Sequence, residues 1–461
     1  MRVPVIERSL GIEVYATRCS GIGGVIRREV EDFVVEEMLV DGSIAPIDGY
    51  ESVVGKGVLG SSQVDNRYLL CALVKRNWDT FIAVSNVSRQ LGVSSDQVQI
   101  AGIKDAKAVT AQYVTLERGL IGDVEKVRVK DVKLYPVGYL RNPISTYYLL
   151  GNRFHVTIRD IRHSKKLVRH RMGRIADELE AQGGLPNFFG HQRFGTSRPI
   201  THVVGRALVK GSLEEAAMLF LAKSSRCEHP NSRKARRELC ETRDFGEALS
   251  CFPKQLRYER LMLRSLAEDK VDFAGAFRKL PVRLRRLFVE AYQSYLFNRF
   301  LSERMKRGVP LDVAEVGDYV VNVERSGLPM LEMWKIVTGE NLDVVNRAVK
   351  DGKMRVALPL VGYGQQTSRG VQGEIEQGIL EEEGVELGSF RVDCLREMGS
   401  KGKLRAIISP VKSLAFGEVQ SEDYGDSGCR VQLDFMLYRG SYATVVLREI
   451  MKPRRLVESG F

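Results

Sequence analysis

The sequence predicts an α/β (α+β) chain of two domains, in which a strand-rich first domain is interrupted by a mainly helical insertion and completed by the C-terminal segment. Three observations predict it. At 461 residues the chain exceeds the roughly 250 to 300 residues at which single hydrophobic cores stop growing. Strand-like runs crowd the first 195 residues, whereas helical periodicity dominates from about Thr196 to Gly388. Strand character then returns in the last part of the chain. The predicted segments are 1–195, 196–388 and 389–461.

In chain order, Gly24 to about Glu37 (GVIRREVEDFVVEE) is rich in β-branched residues bounded by charge and predicts a strand, with a Gly-rich loop after it to Gly60. Tyr68 to Val74 is a second apolar run. Asp79 or Thr80 can cap a helix whose apolar positions Phe81, Ile82, Val84, Val87 and Leu91 recur at helical spacing until Gly92. Strands are predicted over Val98 to Ile103, Val109 to Leu116, Val127 to Val137 and Phe154 to Ile158, followed by an amphipathic helix from about Lys165 to Leu179. In the insertion, Ser212 with Glu215 forms a capping-box signature, Gln255 to Ala267 is amphipathic, and Val282 to Arg307 runs for several turns to Gly308. Leu404 to Ile408 and Val431 to Leu437 read as strands, and Tyr442 to Met451 as a short helix.

Composition narrows the function classes. Hydrophobic residues at 44% and charged residues at 28% fit a folded globular chain. Seventy Lys and Arg against 58 Asp and Glu give a net charge of +12, which favours a polyanionic partner, nucleic acid first. Seven scattered cysteines with no CxxC pair argue against a disulfide framework and a zinc ribbon. The spacing of Cys227, His229, Cys240 and Cys251 fits no tetrahedral site, so no metal is predicted. The N-terminal stretch has no apolar signal core and no apolar run is long enough to cross a bilayer, so a cytoplasmic protein without a membrane partner is expected. The glycines at 21–24 and 362–364 complete neither GxGxxG nor a phosphate-binding loop, leaving nucleotide-cofactor binding unsupported.

Three strings stand out. AGIKDAKAVTAQ (Ala101 to Gln112) places Lys104, Asp105, Ala106 and Lys107 in a loop between two strands, where an isolated carboxylate ordinarily serves as a solvated turn residue. GNRFHVTIRD (Gly151 to Asp160) alternates, so Asn152, Phe154, Val156 and Ile158 share one face of a strand. PNFFGHQRFG (Pro186 to Gly195) combines three phenylalanines with His191, Gln192 and Arg193. EDFVVEE (Glu31 to Glu37) alternates its acids between faces, as a solvated edge would.

In order and composition these strings resemble the TruD family of tRNA pseudouridine synthases, and so do Gln293, Ser294, Phe297 and Asn298 in a later helix and Gly440-Ser441-Tyr442-Ala443-Thr444 near the end. Asp32, Phe33, Val35 and Glu37 match a further family string bordering the cleft; Ala106 and Val30 depart from the family's usual basic residue and proline. The resemblance implies a pseudouridine synthase domain with a mixed, largely antiparallel sheet, interrupted after Gly195 by the helical TRUD domain, with RNA in the cleft between them. It implies that Asp105 is the catalytic nucleophile, that Phe154 stacks on the target base, and that Asn152 hydrogen-bonds near the aspartate. Arg193 would orient the catalytic loop or bind a phosphate, and Lys104 would assist at the substrate. The family's usual target is uridine 13 in the D arm of tRNA. The isomerisation exchanges one glycosidic bond for another, so neither redox cofactor nor metal is required.

Basic stretches at His163 to Arg174, Arg233 to Arg237 and Arg283 to Arg286 are solvated helix faces or phosphate contacts. Two rival readings stay open on sequence alone: a metal-dependent nuclease using Asp32, Glu36, Glu37 and Asp105, and a non-catalytic RNA-binding or tRNA-folding module. The oligomeric state is also open, a monomer being compatible with the sequence.

Overall fold

The computed structural model describes residues 2–48, 57–422 and 428–461; part of the loop expected before Gly60 lies outside the described residues. The first sheet is built from β1 (Phe33–Leu39), β2 (Tyr68–Arg76), β3 (Val98–Ile100), β4 (Val109–Glu117), β5 (Val132–Leu140) and β6 (Leu149–Ile161). The predicted first strand starts late: Val30–Asp32 form a single 3-10 turn, closed by reciprocal bonds between Glu29 and Asp32.

Helix α1 (Thr80–Leu91) begins where Asp79 accepts the amides of Phe81 and Ile82 and ends at Gly92 in the left-handed region, as its capping residues dictate. Helix α2 (Lys165–Ala181) is capped by Ser164 and buries Val168, Met172, Ile175 and Leu179, one stripe at helical spacing.

The next stretch is helical: α3 (Thr201–Val209), α4 (Leu213–Ala222), α5 (Pro230–Thr242), α6 (Phe245–Cys251), α7 (Arg257–Glu268), α8 (Phe273–Arg278) and α9 (Val282–Lys306). The Ser212 side chain makes no cap bond, so the capping box expected there does not close. After α9 come β7 (Tyr319–Val323), β8 (Pro329–Ile336), α10 (Leu342–Lys350), β9 (Met354–Leu360) and α11 (Gly370–Glu383). The chain finishes with β10 (Lys403–Ala406), β11 (Val411–Phe416), β12 (Gln420–Ser421), β13 (Cys429–Tyr438) and α12 (Ala443–Met451).

The first sheet has the order β11-β13-β6-β1-β4-β2-β5, with β3 added on β4 and β12 on β13. It is mixed and largely antiparallel: β1 and β4 run parallel, and the other pairs antiparallel. A second, four-stranded sheet has the order β10-β9-β7-β8. The strand expected over Leu404 to Ile408 therefore divides, since β10 joins the second sheet while Ile408–Ser409 pair with Leu185–Pro186. Strand β13 returns to the first sheet beside β6.

One apolar core runs from Phe154, Val156 and Ile158 on β6, through α2 and α12, to Phe297 and Leu301 on α9. Helix α9 is buried on nearly all sides, and its Asn298 amide donates to the carbonyls of Leu10 and Phe189 while accepting the Phe189 amide at 2.8 Å. This welds the helix to the PNFFG segment, with Gln293, Ser294, Phe297 and Asn298 all in the interior. Gly151 is needed where β6 meets β13: a Cβ there would lie 2.1 Å from the Leu437 carbonyl oxygen.

Candidate active site

Asp105 lies in the loop between β3 and β4, and that loop is held by its backbone. The Ala101 carbonyl accepts from the Thr146 hydroxyl at 3.2 Å, and the Gly102 carbonyl accepts from the Gln112 amide at 3.0 Å. Buried Thr80, the first residue of α1, accepts the Lys104 amide at 3.1 Å and donates its hydroxyl to the Lys104 carbonyl at 3.2 Å. Lys75, fully buried near the end of β2, donates its ammonium to the Asp105 carbonyl at 2.7 Å. Burial pushes the Lys75 ammonium down to about 8, against the opposing pull of Asp105 and Asp79. With the backbone pinned, the loop holds the Asp105 side chain in place while leaving it 37% exposed.

One cation faces that carboxylate directly. Arg27 brings Nη2 to 3.4 Å from Asp105 Oδ1 while its guanidinium lies over the Phe33 ring at 4.0 Å and Nη1 donates to the Gly460 carbonyl. Arg27 is buried and has a φ of 58°, the left-handed region that non-glycine residues seldom occupy. Burial lowers its pKa and the Asp105 charge raises it, the net direction being down. Its Nε and Nη2 have no hydrogen-bond partner among the described residues, so this guanidinium is directed at Asp105 by charge and shape.

The Lys104 side chain turns the other way. Its ammonium is buried, 2.7 Å from Glu37 Oε1 and 2.7 Å from Asn152 Oδ1, and Glu37 accepts the Tyr113 amide through Oε2. Glu37 and Asn152 are register partners on β1 and β6, which is why one lysine reaches both. The basic neighbours of Asp105 are thus Arg27 and Lys75, while Lys104 turns away into the interior and Lys107 is exposed.

Asn152 and Phe154 share a face as alternation predicts, but their surroundings differ. Asn152 is half-buried beside the Asp105 loop, bonded to Lys104. Phe154 is 6% exposed, stacked on Phe435 at 5.2 Å and edge-on to Phe33 at 6.2 Å. Arg193 is engaged elsewhere: its guanidinium bonds Glu290 at 2.9 Å and Ser294 at 3.2 Å on α9, beside the Phe189 ring. The structure thus joins Lys104 and Asn152 beside the Asp105 loop, packs Phe154 between Phe33 and Phe435, and leaves Arg193 at the junction with α9. Ser441 bonds Ser409 at 2.7 Å and makes no cap bond to the helix after it.

Two residues of the site went unnoticed in the sequence, Arg27 and Lys75. Lys75 ends an apolar run (YLLCALVKR) and has the appearance of a solvated strand end, and Arg27 sits in a Gly-rich charged stretch. Both reach Asp105 only through the tertiary fold.

The acidic string does not form a metal centre, since Asp32 pairs with Arg159 and Glu37 with Lys104, while Glu36 contacts His155. Among the described residues no group of three or more His, Cys, Asp and Glu is placed to hold a metal ion, and no helix is long and apolar enough to cross a membrane. Two basic stretches are partly interior. Arg236 is buried between Glu228 and Glu259, and Arg285 pairs with Glu397.

The family model described as tRNA pseudouridine synthase D (TruD) matches residues 9–450. The chain belongs to the TruD family. Its curated relatives include a protein named probable tRNA pseudouridine synthase D from Methanosarcina mazei, 38% identical over 98% of both chains. Another of that name from Pyrococcus abyssi is 36% identical over 95% of this chain and 98% of its own. The crystal structure of the Methanosarcina mazei TruD protein superposes with a TM-score of 0.82 at 38% identity, covering 98% of this chain and 99% of that one. The TruD match spans the Asp105 loop, the helical segment and most of α12, so the fold is that of a TruD tRNA pseudouridine synthase throughout.

Proposed function

We propose that this TruD-family enzyme converts uridine to pseudouridine in tRNA, at uridine 13 of the D arm, with Asp105 as nucleophile. The observation that carries this reading is the Asp105 carboxylate itself, exposed on a loop whose backbone is fixed at Ala101, Gly102, Lys104 and Asp105 and faced by the Arg27 guanidinium at 3.4 Å. A carboxylate so held attacks either C6 of the everted uracil or C1′ of its ribose. The N1–C1′ bond breaks, the base turns, C5 bonds to C1′ and the bond to the Asp105 carboxylate breaks, releasing the carboxylate, as C5 loses a proton and N1 gains one. Product and substrate are isomers, so the stoichiometry calls for no added reductant or oxidant.

Arg27 holds the carboxylate in its attacking form and orientation. Asn152, its amide oxygen taken by Lys104, directs its NH2 toward a uracil carbonyl, and Phe154 forms the apolar wall beside the base. Arg193 ties the first domain to the insertion, residues 196–388, which closes over the RNA. Purified chain incubated with an unmodified tRNA transcript and no added cofactor should yield pseudouridine at position 13, mapped chemically, and none at that position when it is cytidine. Strand cleavage sensitive to a chelator would instead favour the nuclease reading.

A further inference from the structure

A second site opens away from Asp105, where the second sheet meets the end of the first. A cavity of about 1170 Å³ lies between the β7–β8 turn, α10, the C-terminal end of α2 and the residues around β11 and β13. Arg325, Arg347, Lys350, Arg355 and Lys412 line it, and none of the five forms an ion pair among the described residues. Four carboxylates, Glu180, Asp312, Glu324 and Asp343, line it too, so the count of charges alone decides little.

What singles the cavity out is Arg355. It is half-buried on β9, its guanidinium lies 5.7 Å from the centroid of the Tyr438 ring, and no carboxylate or carbonyl satisfies it among the described residues. Burial lowers its pKa, with Tyr438 opposing. A guanidinium beside a tyrosine ring and without an anion keeps its N–H edges free to form a fork toward the cavity. Tyr438 is fixed in turn. The β7–β8 turn abuts it at Gly327, where a Cβ would lie 2.1 Å from the tyrosine hydroxyl, and β13 sets it opposite Gly151, the residue before Asn152. The arginine edge therefore faces a roomy, solvent-connected cavity.

We propose that this cavity binds the phosphodiester backbone of the substrate RNA, with the Arg355 fork on one phosphate and the exposed cations Arg325, Lys350 and Lys412 along the path. This rests on the tRNA reading above and extends it by assigning a phosphate subsite to the junction between the sheets. A planar fork on an aromatic platform suits a phosphate oxygen pair, and an exposed lysine adds charge without geometry.

Binding tests the proposal apart from turnover. In full-length Asp105→Asn chain, Arg355→Ala should weaken binding of an unmodified tRNA transcript about tenfold, the loss of one charge-assisted contact. It should also make the slope of log affinity against log salt shallower by about one. Arg355→Lys should restore much of the affinity. Should Arg355→Ala fail to fold, Lys350→Gln with Lys412→Gln, both exposed, should flatten the slope by itself.

Unchanged affinity and slope in the folded variants would overturn the subsite. So would Arg355-dependent binding of inorganic phosphate with tRNA binding untouched. A wild-type chain that makes no pseudouridine yet loses tRNA affinity on Arg355→Ala would sink the proposed activity and leave the subsite standing.

Discussion

Arg27 and Lys75 approach Asp105 from opposite sides of its chemistry, one at the carboxylate and one at the carbonyl. The division matters because a carboxylate proposed to attack from a loop must be held as well as charged. Removing the guanidinium in Arg27→Gln leaves the backbone anchors intact and takes away the charge beside Oδ1. Single-turnover pseudouridine formation should then fall about a hundredfold, in the range seen when one preorganised electrostatic contact is lost at a reacting centre. Affinity for tRNA should change far less, and a rate within twofold of wild type would exclude Arg27 from the mechanism. Asp105 and Asn152 were legible as residues because each sits in a string that resembles the family. Arg27 and Lys75 were not, since a left-handed arginine and a lysine at the end of an apolar run take meaning only from what the fold brings beside them. Phe154 lies between these cases: alternation gave its face, while the Phe33 and Phe435 rings that cover it come from β1 and β13.

At the scale of elements, β1, β4 and β6 carry the site. The parallel β1–β4 pair and the antiparallel β1–β6 pair set Glu37, Tyr113 and Asn152 around the Lys104 ammonium. A buried charge pair contributes little against an apolar alternative, but breaking it leaves an unpaired charge in the interior. Glu37→Gln should therefore cost about 3 to 5 kcal/mol in chemical denaturation, and Glu37→Gln with Lys104→Met should recover part of that loss. A Glu37→Gln chain as stable as wild type would mean that Lys104 finds another partner. Sequence reading placed most of these strands and α1, because capping residues and alternation are local signals. It missed the second sheet. The exposed run of β8 shows no alternation, and β10, whose pattern fits either sheet, pairs with β9.

At the scale of the whole molecule, the core is continuous from β6 to α9, and α9 is tied to the PNFFG segment and Arg193 through Asn298, Phe297 and the Arg193–Glu290 contact. That continuity gives the Asp105 loop one packed core as its frame, and the junction between the sheets is where we propose that the RNA backbone runs. The change from strand to helix and back could be read from local pattern, whereas the packing depends on contacts hundreds of residues apart in sequence. The central claim is that this frame presents Asp105 as the attacking group, and one measurement addresses it most directly. Pseudouridine is quantified in a single-turnover reaction of unmodified tRNA with saturating wild-type or Asp105→Asn chain, after both are shown to bind the RNA with equal affinity. The account predicts product from the wild type and none from the variant; pseudouridine from Asp105→Asn at the wild-type rate would contradict it.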